Sequence, residues 1–284
     1  MVQVNRRAVT RSKIAYGPAT SQFGHLYLAS DYLAPNDSAP NYSAPNYCAA
    51  DGTGLPPRIR PVVLVHGGYW STEFGLTISS AVARHYAESG ALVWNVEYRR
   101  VGEPGGGWPA TGRDVIAAIE ALDGPVRAAL EPPVRARVDW SSVGVVGHSA
   151  GGQLAIWSVA RLGARTQSTR ITTVVVQSAA LDLVAAGAAG RTSVCELMGA
   201  DYVQAPDRYR DASPIEQQPF DAHVVAIHGE RDLMIPVEVS REYVRVAGAR
   251  GQSTELIVIA GEGHDAFVDP RSAGNRQTMR VLGI

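Results

Sequence analysis

The chain has 284 residues, of which 45% are hydrophobic and 19% charged, and its formal net charge is −1. That composition excludes a disordered chain and is ample for one domain with a substantial core. With charge near balance and no basic block along the chain, neither nucleic acid nor an anionic membrane is an expected partner.

The first residues, MVQVNRRAVTRSKIAYG, hold no continuous apolar run of the kind a signal peptide needs, and no later segment has the length and apolarity of a membrane span. The two cysteines, Cys48 and Cys195, form neither a disulfide framework nor a metal-ligand spacing. Free thiols in a reducing, cytoplasmic compartment are the expectation.

Phe23 to Ala29 (FGHLYLA) reads as a strand. A Pro- and Asn-rich stretch at about 34–60 follows, with SAPNY occurring twice. Pro and Asn at that density sustain neither a ladder nor a helix, so a surface loop without chemistry is expected. From Pro61 the chain turns regular. Apolar runs recur at Val62–Val65, Leu92–Val96, Val143–Val146, Ile171–Val176, Val224–Ile227 and Leu256–Ile259. Each is four to six residues long and lacks polar alternation, as strands buried on both faces of a parallel sheet require. Helical patterns lie between them at Leu76–Glu88, Pro109–Leu122, Gln153–Leu162 and Val237–Val246. Alternating β and α predicts an α/β fold with a mostly parallel central sheet and helices on both faces, over residues 1–284 as a single domain. The segment at about 181–218 is long enough for a small cap. Chemistry in such sheets lies beyond the carboxyl ends of the strands.

Four strand ends there carry chemically suggestive residues. Gly147-His148-Ser149-Ala150-Gly151 fits G-x-S-x-G, directly after an apolar run and directly before a helical pattern. That context marks a nucleophile elbow with Ser149 at a helix N-terminus. His66-Gly67-Gly68-Tyr69-Trp70 follows another run, and its glycines let backbone approach a substrate closely. Gly67, Gly68 and Ala150 are therefore candidate oxyanion-hole donors. Asp232 and His264 each follow a later strand, completing the order Ser, Asp, His. Serine needs a base to take its proton, and the base needs an acid to hold its tautomer. The five histidines at 25, 85, 148, 223 and 228 read as structural, and so does His66. Glu230 and Asp182 are the competitors for the acid's place. Tyr69, Trp70 and Trp108 are candidate substrate-binding residues, while Glu97, Arg99 and Arg100 fit an ion pair bracing the site. Neither a metal nor an organic cofactor is expected, since no ligand cluster appears and the triad supplies nucleophile and base.

Taken together, HGGYW, GHSAGG, HGERDLMIP and GEGH resemble the esterase–lipase branch of the α/β hydrolases. HGGYW is similar to the H-G-G-x-W signature of arylformamidases (kynurenine formamidases), and YGPATSQFGHLYL looks like that family's opening segment. Tyr69 stands where hormone-sensitive-lipase relatives carry a third glycine, so that branch fits less well. The resemblance spans roughly residues 13 to 270 and implies a serine hydrolase of small esters or amides. Its sharpest form is an arylformamidase acting on N-formylkynurenine-like substrates. The alternatives are a short-chain carboxylesterase, an acyltransferase on the same triad, or a silent ligand receptor. A nucleotide-binding protein would need a G-x-G-x-x-G or a P-loop lysine after a strand, and GHSAGG supplies neither.

Overall fold

The computed structural model describes residues 7–32 and 58–284. Eight strands form one sheet: β1 (Val9–Ala15), β2 (Phe23–Ala29), β3 (Pro61–Val65), β4 (Leu92–Val96), β5 (Val143–His148), β6 (Ile171–Gln177), β7 (His223–Gly229) and β8 (Thr254–Ile259). Their spatial order is β1-β2-β4-β3-β5-β6-β7-β8. β2 pairs antiparallel with both β1 and β4, and every pairing from β4 through β3 to β8 is parallel.

Ten α-helices accompany the strands among the described residues. They are α1 (Ser80–Glu88), α2 (Ala110–Glu120), α3 (Pro125–Ala128), α4 (Pro132–Arg137), α5 (Ala150–Leu162), α6 (Leu183–Ala188), α7 (Thr192–Met198), α8 (Pro206–Ala212), α9 (Val237–Ala249) and α10 (Ala273–Leu282). None of the described helices is long and apolar enough to cross a membrane.

The absence of polar alternation in the strands has a direct structural cause. In β3, Val63 and Val65 pack into the core that holds α2, α5 and α9, while Val62 and Leu64 pack into a second core with α1 and Leu282 of α10. Val224 and Ala226 of β7 face the first core, Val225 and Ile227 the second. Successive side chains alternate between faces, so a strand covered on both sides must be apolar throughout. Each such Val or Leu, buried to within 3% in β3, contributes about 1.5–3 kcal/mol through burial.

The structure departs from the sequence reading in several places. β1 was not expected: four consecutive residues at its centre are exposed, so it carries no apolar signature. The first turn of the helix expected at Leu76–Glu88 is a 3₁₀ turn, Leu76–Ser79, whose leading N–H is taken by the Glu97 carboxylate (2.9 Å). Most of the Pro/Asn-rich stretch lies outside the described residues, but its expected end at residue 60 is too late. Ile59 is fully buried and bridges Val138. The 181–218 segment, where a small cap was expected, holds α6, α7 and α8, with α6 packed on both α7 and α8.

Candidate active site

β5 ends at His148 and α5 begins at Ala150, which leaves Ser149 alone between them at φ 53°, ψ −119°. This backbone is one that L-residues rarely adopt. It is held from both sides: the Ser149 N–H donates to the Gln177 carbonyl of β6 (2.9 Å), and the Ser149 carbonyl accepts from Gly152 N–H (3.0 Å). The glycines of the motif act sterically. A Cβ on Gly147 would collide with the Gly151 carbonyl, and one on Gly151 would collide with the carbonyls of Val65 and His66. The elbow therefore closes against β3 only when both positions lack side chains.

Asp232 lies in the loop after β7 and His264 in the 3₁₀ turn after β8. His264 Nδ1 donates to Asp232 Oδ2 (2.8 Å), and Ser149 Oγ lies 2.9 Å from His264 Nε2. Three residues far apart in sequence thus form one hydrogen-bonded relay. The other Asp232 oxygen, Oδ1, accepts from the N–H groups of Met234 (2.8 Å) and Ile235 (2.9 Å). Burial works to raise the pKa of this carboxyl. Bonds from His228, His264, Ile235 N–H and Ser178 outweigh it and hold the group well below the usual carboxylate range. His228, fully buried, accepts from the Ser240 hydroxyl at Nδ1 (2.8 Å) and donates from Nε2 to the Ile235 carbonyl (2.9 Å), fixing the loop that carries the acid.

The two competing acids have other work. Glu230 accepts from Gly261 N–H (3.0 Å) and ties the Asp232 loop to the His264 loop. Asp182 caps α6 through Ala185 N–H (2.9 Å).

The HGGYW loop runs beside the elbow. Gly68, Tyr69 and Trp70 have φ of 107°, 56° and 58°, so two successive non-glycine residues sit in the left-handed region. His66 anchors the loop from beneath: its Nε2 donates to Glu97 (2.7 Å) and its ring stacks on Tyr98 at 4.3 Å. Glu97 also lies 3.6 Å from Arg100, while Arg99 pairs with Asp114 at 2.7 Å. The bracing expected of this strand end is thus present. Ala150 is the first residue of α5, so its N–H has no acceptor within the helix. Gly67 abuts the elbow, with its Cα side facing the His148 carbonyl and Ser149 Cβ.

A cavity of about 380 Å³ opens at Ser149 and His264. Its walls include Leu181, Ala185 and Ala186 around α6, Val194 of α7, and Met234 and Ile235 of the acid loop. Of the aromatic candidates, Tyr69 stands on this wall with 41% of its surface exposed. Trp70 also contributes to the wall, but its indole is 3% exposed and its Nε1 donates to Gln153 (3.0 Å), so it is chiefly an anchor. Trp108 is not brought to the cavity. It packs edge-on against Trp157 at 4.6 Å, and its Nε1 donates to Asp211 (3.3 Å). The α6 and α7 residues of the wall had no distinctive sequence signal, because small and aliphatic side chains read the same in a core and in a pocket.

A family model described as the alpha/beta hydrolase fold matches residues 62–268. No curated protein matches the chain. Among solved structures, it is similar to a truncated carbohydrate esterase from gut microbiota, with 18% identity and a TM-score of 0.72 over 99% of this chain and 97% of the other. It is similar to esterase B from Lactobacillus rhamnosis, inhibited by a tributyrin phosphonate, with 16% identity and a TM-score of 0.71 over 98% and 87%. A thermophilic esterase from the Planctomycetes species Thermogutta terrifontis matches with 18% identity and a TM-score of 0.63 over 96% and 90%. At these identities the likeness is one of fold.

Proposed function

This chain belongs to the alpha/beta hydrolase fold family and is a serine hydrolase, and from that premise we propose that it hydrolyses small carboxylic esters through an acyl-enzyme on Ser149. The observation that carries this reading is the Ser149–His264–Asp232 relay, with links of 2.9 and 2.8 Å, at the end of an apolar cavity. His264 Nε2 takes the hydroxyl proton as Ser149 Oγ attacks the ester carbonyl. Negative charge then develops on the carbonyl oxygen, where Ala150 N–H and an N–H of the Gly67–Gly68 segment receive it. The imidazolium, stabilised by ionised Asp232, returns the proton to the leaving alcohol. Water enters by the same steps in reverse and frees the acid.

Two observations support an ester over a formamide. The similar solved structures are esterases. The aliphatic side chains of Leu181, Val194 and Ile235 in the cavity wall also suit an acyl chain longer than formyl. The narrower arylformamidase reading keeps one observation in its favour: the half-exposed Tyr69 ring offers a flat surface to an aromatic leaving group. The deciding measurement compares kcat/KM for p-nitrophenyl acetate and butyrate with that for N-formylkynurenine. Brisk ester hydrolysis with formamide turnover near background is expected, and the reverse ranking would overturn the ester assignment. A fluorophosphonate should label Ser149 stoichiometrically, which a silent receptor would not allow.

A further inference from the structure

One histidine beside the relay has no part in the chemistry just described. His148 precedes the nucleophile, and its Nε2 lies 3.0 Å from the main-chain carbonyl oxygen of His264. A carbonyl oxygen only accepts, so Nε2 must carry the proton and donate it. The two imidazole rings are 4.8 Å apart and tilted by 46°, and the Phe267 ring lies 5.7 Å away on the same turn. His148 thus joins the end of β5 to the 3₁₀ turn His264–Val268 across the sheet's carboxyl edge. Besides its Nδ1 and Nε2 links to Asp232 and Ser149, the base is gripped here at its backbone.

The other ring nitrogen completes the picture. Nδ1 of His148 is buried and has no hydrogen-bond partner among the described residues. It belongs to a side chain lining a cavity of about 20 Å³ behind the relay, bounded also by His66, Ser79, Gln177 and Phe267. That cavity has room for one water molecule.

We propose that His148 is a positioning residue for the reaction: a neutral imidazole that holds the His264 carbonyl through Nε2–H and thereby aims the base at Ser149. The proposal rests on the Ser149–His264–Asp232 reading of the site. The groups facing His148 favour the neutral form throughout the cycle. Burial first, then the neighbouring His264 ring, push its pKa down to about 3, and His228 acts in the same direction; the bond to the His264 carbonyl and then Asp232 oppose them. When His264 gains its proton during turnover, a second positive ring at 4.8 Å becomes still less favourable.

The test uses the full chain with His148→Phe, His148→Gln and Ser149→Ala side by side. Phenylalanine keeps the ring shape without the donor, whereas the glutamine amide N–H reaches the same carbonyl. His148→Phe is expected to lower kcat for p-nitrophenyl butyrate about 10–100-fold, since a small misplacement of a catalytic group costs on that order, with KM within about twofold. The acid limb of kcat/KM should move to lower pH by about half a unit as the His264–Asp232 bond loosens. His148→Gln should recover most of the loss. A His148→Phe enzyme with wild-type kcat, or a His148→Gln enzyme as impaired as His148→Phe, would overturn the proposal. So would a rate that falls only with the folded fraction while the acid limb stays put. Should His148→Phe fail to fold, side-chain ¹⁵N shifts of the wild-type protein decide. His148 should stay protonated at Nε2 alone across the acid limb of activity, and a His148 that titrates along that limb overturns the role. Ser149→Ala guards the premise, because ester turnover surviving in it would overturn the relay itself, whatever His148 does.

Discussion

Ser149 carries the conformational strain of the elbow, and this can be measured apart from its chemistry. Its φ of 53° with ψ −119° lies in a region that costs a non-glycine residue on the order of 1–3 kcal/mol. Replacing it by alanine should lower kcat/KM by about 10⁴-fold or more and leave the thermal midpoint almost unchanged. Replacing it by glycine should be equally inactive but more stable than the alanine variant by about 1 kcal/mol, the relief of strain exceeding the extra chain entropy of glycine. Denaturant midpoints of the two variants check this, and equal midpoints would mean that the elbow is not strained. Asp232 allows a second prediction at the same scale. Its carboxyl is held well below the usual carboxylate range, so it stays ionised wherever the protein is folded. The acid limb of activity should therefore not report the protonation of Asp232. Asp232→Asn should lower kcat by about 10⁴-fold, because the amide neither holds the imidazole tautomer nor stabilises the imidazolium, and steady-state kinetics of the variant check this.

At the scale of the element, α6, α7 and the start of α9 supply much of the cavity wall, which is where the proposed ester hydrolysis would select its acyl group. Ala185 of α6 is exposed and lines the cavity, so a large ring there blocks the far end without disturbing a core. Ala185→Trp should reduce kcat/KM for p-nitrophenyl hexanoate about tenfold more than for the acetate, a loss of about 1.4 kcal/mol of differential binding. A uniform drop across chain lengths would remove these helices from the acyl site. The same elements show how far the sequence could be read. The core strands were legible because burial on both faces forces them to be apolar, and the elbow because only glycine tolerates the approach of Val65 and His66. β1 escaped notice because Thr10, Arg11, Ser12 and Lys13 at an outer edge need no apolar pattern. α10, AGNRQTMRVL, was missed because much of its buried face is polar: Asn275 and Thr278 meet Tyr86 and Gln177 through hydrogen bonds. The placement of Trp108 against Trp157 and the bond from His148 to His264 are tertiary pairings between distant segments, which no local pattern encodes.

For the whole molecule, the polar groups around the site make stability depend on pH in one direction. Burial works to raise the Glu97 carboxyl pKa, but His66, Leu76 N–H and Arg100 hold it below its ordinary value. A depressed carboxyl stabilises the fold above its unfolded pKa and loses that contribution as pH falls through the folded one. His148 adds to the same trend, because below about 6.5 the unfolded chain takes up a proton that the folded one refuses down to about 3. Glu97→Gln should therefore lower the thermal midpoint most near neutrality, and the gap from wild type should narrow as pH drops through the acid range. A gap independent of pH would show that Glu97 acts by shape alone. The strand order has a consequence in time as well as in space. β5, β6, β7 and β8 join one side of β3 in the order in which a ribosome delivers them, each finding its template already laid down. The nucleophile is thus housed before its base has been made. Nascent chains stalled before residue 254 should carry a folded elbow that a fluorophosphonate leaves untouched, and labelling should begin only once the turn bearing His264 has cleared the exit tunnel. Until that moment the serine has no base to take its proton.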